Sequence, residues 1–488
     1  MNRSRTRGGG GVLAIVFRIA ILLATWSTQG YAQTALGSDA NQQKHFIQVS
    51  DDGRSFTLDG KKFFVHGFNQ PQMMTHAVDN KVHILEVLDE AELHGFNLMR
   101  TWAFNDGFDQ WNSLQLFPGI FDEKVFRALD YVLLQSRKHK IRVLLSITNQ
   151  WEDYGGITQY YDWANVSGGV DSFYSNLECR GMYQNFVRTL LERKNMYTGI
   201  PYKDDEFILG WDLVNEPRME NGPDTSTLQS WTDEMARFIK SIDSNHLVTS
   251  GSEGFFGPST PSLLAYNPGD WTNDHGVDYV ANHNSSSIDF GVFHLYPDNW
   301  FDEEQCDMDC ALKFTQEYIN AHLTSGLRKP VLLEEVGKKG EGRDQFLERV
   351  YEMMHNNHVN GGYAAGTVIW QLSASNFSDV DSFSIYLPND ISTGNLIKSM
   401  GVKVAERLHS SFQRGVQFVG WVKEIVKNKV KKFMGNRFWK KHILTRDKTG
   451  PSSIASVASV ASPSNNTIDE GSAANPQNDT VVAYAWGR

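Results

Sequence analysis

The chain of 488 residues has a formal net charge of −11, and 40% of its residues are hydrophobic and 12% aromatic, including 13 tryptophans. This composition is typical of a globular protein with a large core, and the acidic balance argues against a nucleic-acid partner. The length alone suggests about three domains, although a single α/β barrel with insertions can also reach it.

The first 32 residues are typical of a secretory signal peptide. Three arginines within the first seven residues precede a mostly apolar stretch over 12–26, and Gly30-Tyr31-Ala32 offers a small-residue cleavage site. Arg18 limits the continuous apolar part to 19–25, which is too short to span a bilayer. We therefore predict a secreted, extracellular protein of the cell wall, with an uncleaved anchor as the alternative.

Three cysteines are present, and an odd count leaves at least one thiol unpaired within the chain. Cys306 and Cys310 could form a local bridge in an oxidising compartment, while Cys179 stands apart. No histidine lies near this pair, so we expect no metal site there. N-glycosylation sequons would make a secreted chain a glycoprotein; they begin at Asn165, Asn284, Asn376, Asn465 and Asn478.

Apolar segments of strand character alternate with segments of helical periodicity throughout residues 45–408. Strands are predicted at 63–68, 98–104, 142–147, 207–214, 247–250, 290–293, 331–333 and 367–370, and helices at 82–89, 125–133, 231–242 and 346–355. Eight strands alternating with helices predict an α/β fold, a closed (β/α)8 TIM barrel whose chemistry lies at the carboxyl ends of the strands.

Two of the predicted strands lead into glutamates. The fourth continues into Glu216, where Pro217 ends the strand because proline cannot continue a ladder. The seventh continues into Glu334 and Glu335. Two carboxylates at one end of a barrel are what glycoside hydrolysis requires, one as acid/base and one as nucleophile or base. Alternatively, each glutamate only caps its strand or pairs with an arginine.

The segment after the third predicted strand is rich in aromatic residues, which can stack on the faces of sugars. We expect this segment to line a groove for an extended polymer, although most tryptophans in proteins belong to the core. Its rings are those of Trp151, Tyr154, Tyr160, Tyr161 and Trp163.

The composition changes after the predicted barrel. Residues 409–448 form a basic extension in which lysines and arginines alternate with apolar residues between 416 and 444. This pattern predicts an amphipathic helix that either docks on the barrel, which we favour, or makes weak contact with an anionic membrane surface. Residues 449–488 are rich in serine, alanine and asparagine, and we expect this tail to be disordered.

Several strand-end motifs together resemble glycoside hydrolase family 5, and more closely the endo-β-1,4-mannanases of plants and fungi. The motifs are Arg100-Thr-Trp-Ala-Phe, Asn149-Gln-Trp-Glu-Asp-Tyr-Gly-Gly, Asn215-Glu216-Pro217, His294-Leu-Tyr296 and Glu335-Val-Gly-Lys. The resemblance covers roughly residues 46–372. It implies a retaining endo-hydrolase that cleaves β-1,4-mannosidic bonds of mannan, glucomannan or galactomannan by double displacement, without metal or cofactor.

The resemblance makes Glu216 the acid/base and Glu335 the nucleophile. Glu334 is the rival nucleophile, but side chains alternate along a strand, so only one of the two should point into the barrel mouth. The family motif selects Glu335, although Val336 follows it where phenylalanine is commoner. A retaining enzyme should hold its two carboxyl groups about 5–5.5 Å apart.

The resemblance also implies partners for both carboxylates. Arg100 should lower the pKa of Glu335, which has to stay ionised, and Tyr296 should donate its hydroxyl to the same carboxylate. His294 is expected beside Glu216, whose pKa should be raised so that it can donate a proton. As alternatives, Arg100 forms a purely structural ion pair and His294 is a hydrogen-bonded core histidine.

The remaining residues are predicted to bind the sugar. Asn215 should bind the 2-hydroxyl at the cleavage point, and Asn149 occupies a related position on the third strand. Trp370 resembles the platform under that sugar, which Trp102 and Trp151 would extend. The two extending rings could equally belong to the core.

Within the same class, the alternatives are a β-1,4-glucanase or mixed-linkage glucanase and a transglycosylase, since water and a sugar hydroxyl compete for one covalent intermediate. A carbohydrate-binding protein without catalysis is the alternative from a different class. The predicted partner is a β-mannan polysaccharide, and we expect a monomer.

Overall fold

The computed structural model describes residues 45–220, 222–302, 306–374, 377, 381–387 and 389–405. The predicted signal peptide at 1–32, the basic extension at 409–448 and the tail at 449–488 lie outside these residues. Those three predictions, and the suggested membrane contact through 416–444, therefore stay predictions.

The core of the fold is a sheet of eight parallel strands. These are β1 (Val65–Asn69), β2 (Leu98–Trp102), β3 (Arg142–Ser146), β4 (Ile208–Asp212), β5 (Leu247–Thr249), β6 (Gly291–Leu295), β7 (Val331–Val336) and β8 (Ala364–Ile369). They pair in the order β5-β4-β3-β2-β1-β8-β7-β6. Between β5 and β6, the N–H of Asp289 donates to the carbonyl of Val248 at 2.8 Å. The predicted eight-strand barrel is confirmed.

Helices follow most of the strands. They are α1 (Met73–Asp79), α2 (Lys81–Leu93), α3 (Glu123–Lys138), α4 (Gly156–Trp163), α5 (Asp171–Ser175), α6 (Leu177–Glu192), α7 (Ser226–Ile242), α8 (Tyr279–Asn284), α9 (Pro297–Trp300), α10 (Met308–Thr324) and α11 (Arg343–Val359). Residues 391–405 are also helical. Short 3-10 turns cover Tyr202–Asp204, Pro261–Tyr266 and Asp270–Asp274.

Helix α3 shows why these segments are helical. The side chain of Asp122 caps its first turn by accepting the N–H of Lys124 at 2.7 Å. Its apolar residues recur on one face and are buried, as the 3.6-residue period requires of a helix that packs on a sheet; they include Val125, Phe126, Leu129, Val132 and Leu133.

A small antiparallel sheet covers the amino-terminal end of the barrel. It consists of Gln48–Val49, Phe56–Leu58 and Lys61–Phe63. Phe56 is fully buried and clusters with Leu98, Leu144, Leu209 and Leu332, which stand at or near the starts of their barrel strands. Since apolar side chains fill this end, the polar residues of the barrel gather at the carboxyl ends of the strands.

Two shorter ladders lie outside the barrel. Gln115–Phe117 pairs with Ile120–Phe121, and Leu372–Ser373 pairs with Ile385–Tyr386.

The aromatic segment after β3 differs from its prediction. Much of it is helical and packs against the core: Tyr160 is fully buried in α4, and Tyr154, Tyr161 and Trp163 are only partly exposed. Trp151 alone of the five stands out, with 40% of its surface exposed. The expected row of groove-lining rings is therefore reduced to one, because α4 and the turn before it pack the other four rings against the core.

Cys306 and Cys310 are joined in a disulfide, and Cys179 is a free, buried thiol. Within the ranges given above, none of the helices combines the length and apolar character that crossing a membrane requires.

Candidate active site

Glu216 stands four residues beyond the end of β4, in a tightly held turn. Its φ of 56° lies in the left-handed region, which is uncommon for a non-glycine residue. Its N–H donates to the carbonyl of Gly251 at 2.8 Å, which ties the turn to the segment after β5. Such a conformation costs about 1–3 kcal/mol and persists where the surroundings determine it.

Glu335 lies on β7, and Glu334 beside it is also buried. Simple alternation predicted that only Glu335 would face the barrel mouth. The pairing of β7 with β8 shifts register between Leu333 and Val336, however, and such irregularities re-aim side chains. As a result, Glu334 also reaches the polar cluster, and its Oε2 lies 3.4 Å from Nε2 of His294.

The two predicted catalytic carboxylates meet in this cluster. One oxygen of Glu216, one oxygen of Glu335 and one ring nitrogen of His294 all lie within 4.8 Å of one another. Such an approach of two carboxylate oxygens is compatible with the short spacing of about 5–5.5 Å between the carboxyl groups of retaining glycosidases. Atoms this close could also surround a cation, but the Nδ1 atom of His294 is engaged with Glu216, which fits proton transfer better.

Arg100 extends from β2 into the centre of the cluster and is fully buried. Its guanidinium donates to Glu335 Oε1 at 2.5 Å, to Asp212 Oδ2 at 2.6 and 3.1 Å, to Asn215 Oδ1 at 2.8 Å and to Asn69 Oδ1 at 3.2 Å. All five N–H groups of the guanidinium are therefore used, which fixes its plane and with it the carboxylate of Glu335.

Tyr296 and His294 complete the contacts of the two carboxylates. The hydroxyl of Tyr296 donates to Glu335 Oε2 at 2.5 Å. The Nδ1 atom of His294 lies 2.7 Å from Glu216 Oε1, and it is 3.6 Å from Glu335 Oε2. On the other side of the acid/base candidate, the indole N–H of Trp151 donates to Glu216 Oε2 at 2.7 Å.

The protonation balance differs from the prediction for both glutamates. Burial raises the pKa of Glu335, and this effect exceeds the lowering by His294 and Arg100. Burial also acts to raise the pKa of Glu216, but the hydrogen bond and charge of His294 outweigh it and the pKa is lowered. Burial acts to lower the pKa of His294. The neighbouring carboxylates outweigh this effect and raise that pKa to about 10; they are those of Glu335, Glu216 and Glu334.

The predicted sugar-binding residues occupy different depths. Asn215 and Asn149 are buried and bonded to each other, with Asn215 Nδ2 donating to Asn149 Oδ1 at 3.0 Å. Trp102 is only 4% exposed and lies under the Arg100 guanidinium, 4.9 Å from ring centroid to carbon. Trp370 is half-buried, and its indole donates to Asp381 Oδ2 at 2.6 Å. Their contacts with substrate stay predictions.

Several residues of the site were missed by sequence reasoning. Asp212 and Asn69 accept hydrogen bonds from Arg100. Asp212 could have been predicted as a site residue, because it is a carboxylate at the end of an apolar strand. Burial and the neighbouring Glu334 raise the pKa of Asp212 to about 7. Arg218, two residues after Glu216, forms a two-fold ion pair with Glu253 at 2.6 Å for each bond.

The carbon of the Arg218 guanidinium also lies 5.1–5.4 Å from the centroids of three aromatic rings. The rings are those of Trp151, Phe255 and Trp271. No spacing in the sequence brings these rings together, because they come from the segments after β3 and β5.

Two carboxylates that approach each other at the carboxyl ends of barrel strands, one of them held by an arginine and a tyrosine, define a glycoside hydrolase of the (β/α)8 class. Residues 44–383 match the family model described as GH family 5 beta-mannosidase-like. The chain therefore belongs to this family.

Curated plant proteins resemble the chain over most of its length. Mannan endo-1,4-beta-mannosidase 5 of Arabidopsis thaliana is 42% identical over 341 residues, which are 66% of this chain and 78% of that protein. Mannan endo-1,4-beta-mannosidase 2 of Oryza sativa subsp. japonica is 40% identical over 377 residues, 73% of this chain and 84% of that protein.

Solved structures of mannanases also resemble the chain. The endo-1,4-beta-mannanase of Rhizomucor miehei is 30% identical with a TM-score of 0.63, covering 74% of this chain and 99% of that one. The endo-1,4-beta-D-mannanase of Thermotoga petrophila is 28% identical with a TM-score of 0.62, covering 70% of this chain and 99% of that one.

Proposed function

We infer that this chain is an endo-acting glycoside hydrolase that cleaves internal β-1,4-mannosidic bonds of mannan-type polysaccharides with retention of configuration. The observation that carries the proposal is the approach of Glu216 and Glu335 within 4.8 Å, with Arg100 and Tyr296 both bonded to Glu335. The plant and microbial mannanases that resemble the chain supply the substrate class.

In the first step, Glu335 attacks the anomeric carbon while Glu216 passes a proton to the leaving glycosidic oxygen. The sugar–oxygen bond breaks, and a glycosyl ester forms on Glu335. In the second step, Glu216 takes a proton from water, the water oxygen bonds to the anomeric carbon, and Glu335 leaves as a carboxylate. Two inversions give net retention.

Three further residues support these steps. Arg100 and Tyr296 hold the Glu335 carboxylate from two sides, so that one orientation is presented to the sugar. Asn215 is fixed by Arg100 and Asn149, which supports its role as a ligand of the sugar 2-hydroxyl. Trp370, half-buried at the end of β8, supports the role of a stacking platform.

Release of reducing ends from mannan, glucomannan and cellulose, measured side by side, tests the proposal. We expect activity on mannan and glucomannan and little on cellulose. Glu216→Ala and Glu335→Ala should each lose at least about 10³-fold in kcat, whereas a carbohydrate-binding protein would show no hydrolysis in any form. Full activity in both variants would overturn the assignment of roles.

The rival activities give distinct products. A β-1,4-glucanase would release more reducing ends from cellulose than from mannan. A transglycosylase would form oligosaccharides longer than the mannohexaose supplied, which mass spectrometry detects. Proton NMR of the first product gives the anomer: a β product supports retention, and an α product contradicts it.

We also propose that the chain is secreted and acts as a monomer at the cell wall. The amino-terminal leader, the Cys306–Cys310 disulfide and the exposed sequons at Asn165 and Asn284 support secretion. Expression in a secreting eukaryotic host should yield a glycosylated extracellular protein that begins near Gln33. Retention inside the cells or on membranes would contradict this, and analytical ultracentrifugation measures the oligomeric state.

A further inference from the structure

Glu334 is a buried carboxylate that the proposed reaction does not use. Its Oε2 lies 3.4 Å from Nε2 of His294, and its Oε1 lies 3.7 Å from Nε of Arg100 without a hydrogen bond among the described residues. Leaving a buried carboxylate poorly satisfied is costly unless a nearby positive charge compensates it. Arg100 is shared among three carboxylates, those of Asp212, Glu334 and Glu335. A second positive charge is therefore needed to compensate Glu334.

His294 is the group that can supply this charge. It is fully buried, and each ring nitrogen faces a carboxylate: Nδ1 lies 2.7 Å from Glu216 Oε1, and Nε2 lies nearest to Glu334. A neutral imidazole carries a single N–H, so one nitrogen would present its lone pair to a carboxylate oxygen. Only the imidazolium donates on both sides.

The other carboxylates around His294 also favour a positive charge on its ring. Glu335 on β7 lies 3.6 Å from Nδ1, and Asp212 on β4 is held by Arg100. Glu253 accepts the backbone N–H of His294 on its carbonyl, while its carboxylate is paired with Arg218. The surrounding carboxylates outnumber the two arginines, so a positive charge on His294 is favoured.

We propose that Glu334 is a positioning residue that keeps His294 protonated on both nitrogens, so that Glu216 and His294 together hold the proton delivered to the leaving group. This inference rests on the proposed role of Glu216. The Nδ1 proton of His294 passes to Glu216 Oε1 and from there to the glycosidic oxygen, which leaves His294 neutral and Glu216 ionised for the second step. His294 keeps its Nε2–H toward Glu334, and the water proton of the second step returns to Nδ1 by the same route.

The arrangement explains how a glutamate with a lowered pKa can act as an acid. The proton is stored on His294, 2.7 Å from the atom that has to deliver it. The pKa of His294, raised to about 10, is in accord with this storage. Glu334 therefore sets the pH at which the pair loses its transferable proton.

The first test is the pH dependence of kcat/KM in Glu334→Gln, which keeps the size and removes the charge. Without this negative charge the pair binds its proton less tightly, so the alkaline limb should move to lower pH by about one unit. Asp130→Asn is the matched control: it also removes a buried carboxylate paired with an arginine, but its partners are Arg193 and Tyr202 outside the site, and it should leave the alkaline limb in place. An unchanged limb in Glu334→Gln would overturn the proposal.

The second test uses neither a Glu334 variant nor hydrolysis. Nitrogen-15 NMR of the histidine-labelled full-length protein, with the ring of His294 identified by its loss in His294→Asn, reports the protonation of each nitrogen. We expect both nitrogens to be protonated at pH 7. A neutral ring there would overturn the inference, whereas a cationic ring in a protein inactive on mannan would overturn only the proposed function.

Discussion

The indole N–H of Trp151 and the imidazole of His294 bond to opposite oxygens of one carboxylate, that of Glu216, each at 2.7 Å. Trp151 comes from the segment after β3 and His294 from β6, so two distant parts of the barrel converge on the acid/base candidate. Trp151 is also 40% exposed. It is therefore a donor to the carboxylate as well as the one exposed ring of its aromatic segment.

Replacing Trp151 by phenylalanine should move the alkaline limb of the pH–activity profile upward. The lost hydrogen bond helps to lower the pKa of Glu216, so its removal lets the residue hold a proton to higher pH. A hydrogen bond to a charged group is worth about 1.5–3 kcal/mol, which corresponds to a shift of about one pH unit or more. The measurement is kcat/KM on a mannan oligosaccharide across pH.

Trp271→Phe is the matched control for this shift. Trp271 also lies against the Arg218 guanidinium but does not bond to Glu216. If both variants shifted the alkaline limb equally, the indole hydrogen bond would not be the cause.

Tyr296→Phe should lower kcat by about 10- to 100-fold, since Glu335 loses a donor worth about 1.5–3 kcal/mol. The same loss should move the acidic limb to higher pH, because the hydroxyl of Tyr296 helps to lower the pKa of Glu335. Steady-state kinetics on mannohexaose measures both effects.

Tyr351→Phe provides the comparison. Tyr351 is equally buried, but its hydroxyl has no hydrogen-bond partner among the described residues, so its removal should leave kcat unchanged. A loss of kcat in this variant as large as in Tyr296→Phe would point to packing as the cause.

Arg100→Ala should destabilise the fold by about 3–5 kcal/mol, because it leaves Asp212 and Glu335 buried without their cation. Urea unfolding monitored by tryptophan fluorescence measures the change in the free energy of unfolding. Arg127→Ala removes an ion pair whose partners are both more than half exposed, and it should change stability by less than about 1 kcal/mol. Equal effects would mean that burial of the Arg100 network does not govern its strength.

Gly251→Ala should lower both stability and activity. Gly251 has φ +78°, and a Cβ there would overlap the carbonyl oxygen of Val214 and Oδ1 of Asp212, next to the turn that carries Glu216. The expected cost is about 1–3 kcal/mol of crowding in addition to the backbone strain. Thermal unfolding and kcat measure the two effects.

Gly60→Ala separates crowding from strain. Gly60 has a similar φ of +71°, but nothing lies within 4 Å of a Cβ built on it. We expect this variant to pay only the backbone cost of about 1 kcal/mol and to keep its activity. Loss of activity in both variants would contradict the steric argument.

The barrel was predictable because its signals are local. An apolar run of four to eight residues followed by a segment of helical periodicity can be recognised in the sequence. Eight repeats of that pattern favour a closed barrel over other arrangements. The two glutamates were predictable for the same reason, since strand ends such as the one before Glu216 are marked by proline and by neighbouring polar residues.

The tertiary structure decided which side chains meet and which groups carry protons. Register shifts on β7 bring Glu334 into the cluster, and α4 turns Tyr160 into the core. The spacing of these residues in the sequence predicted neither placement. The lowered pKa of Glu216 and the raised pKa of Glu335 depend on the burial and charge of His294 and Arg100 in three dimensions. Sequence periodicity specifies the strand ends, but electrostatic energies depend on distance and burial, and only the folded chain sets those.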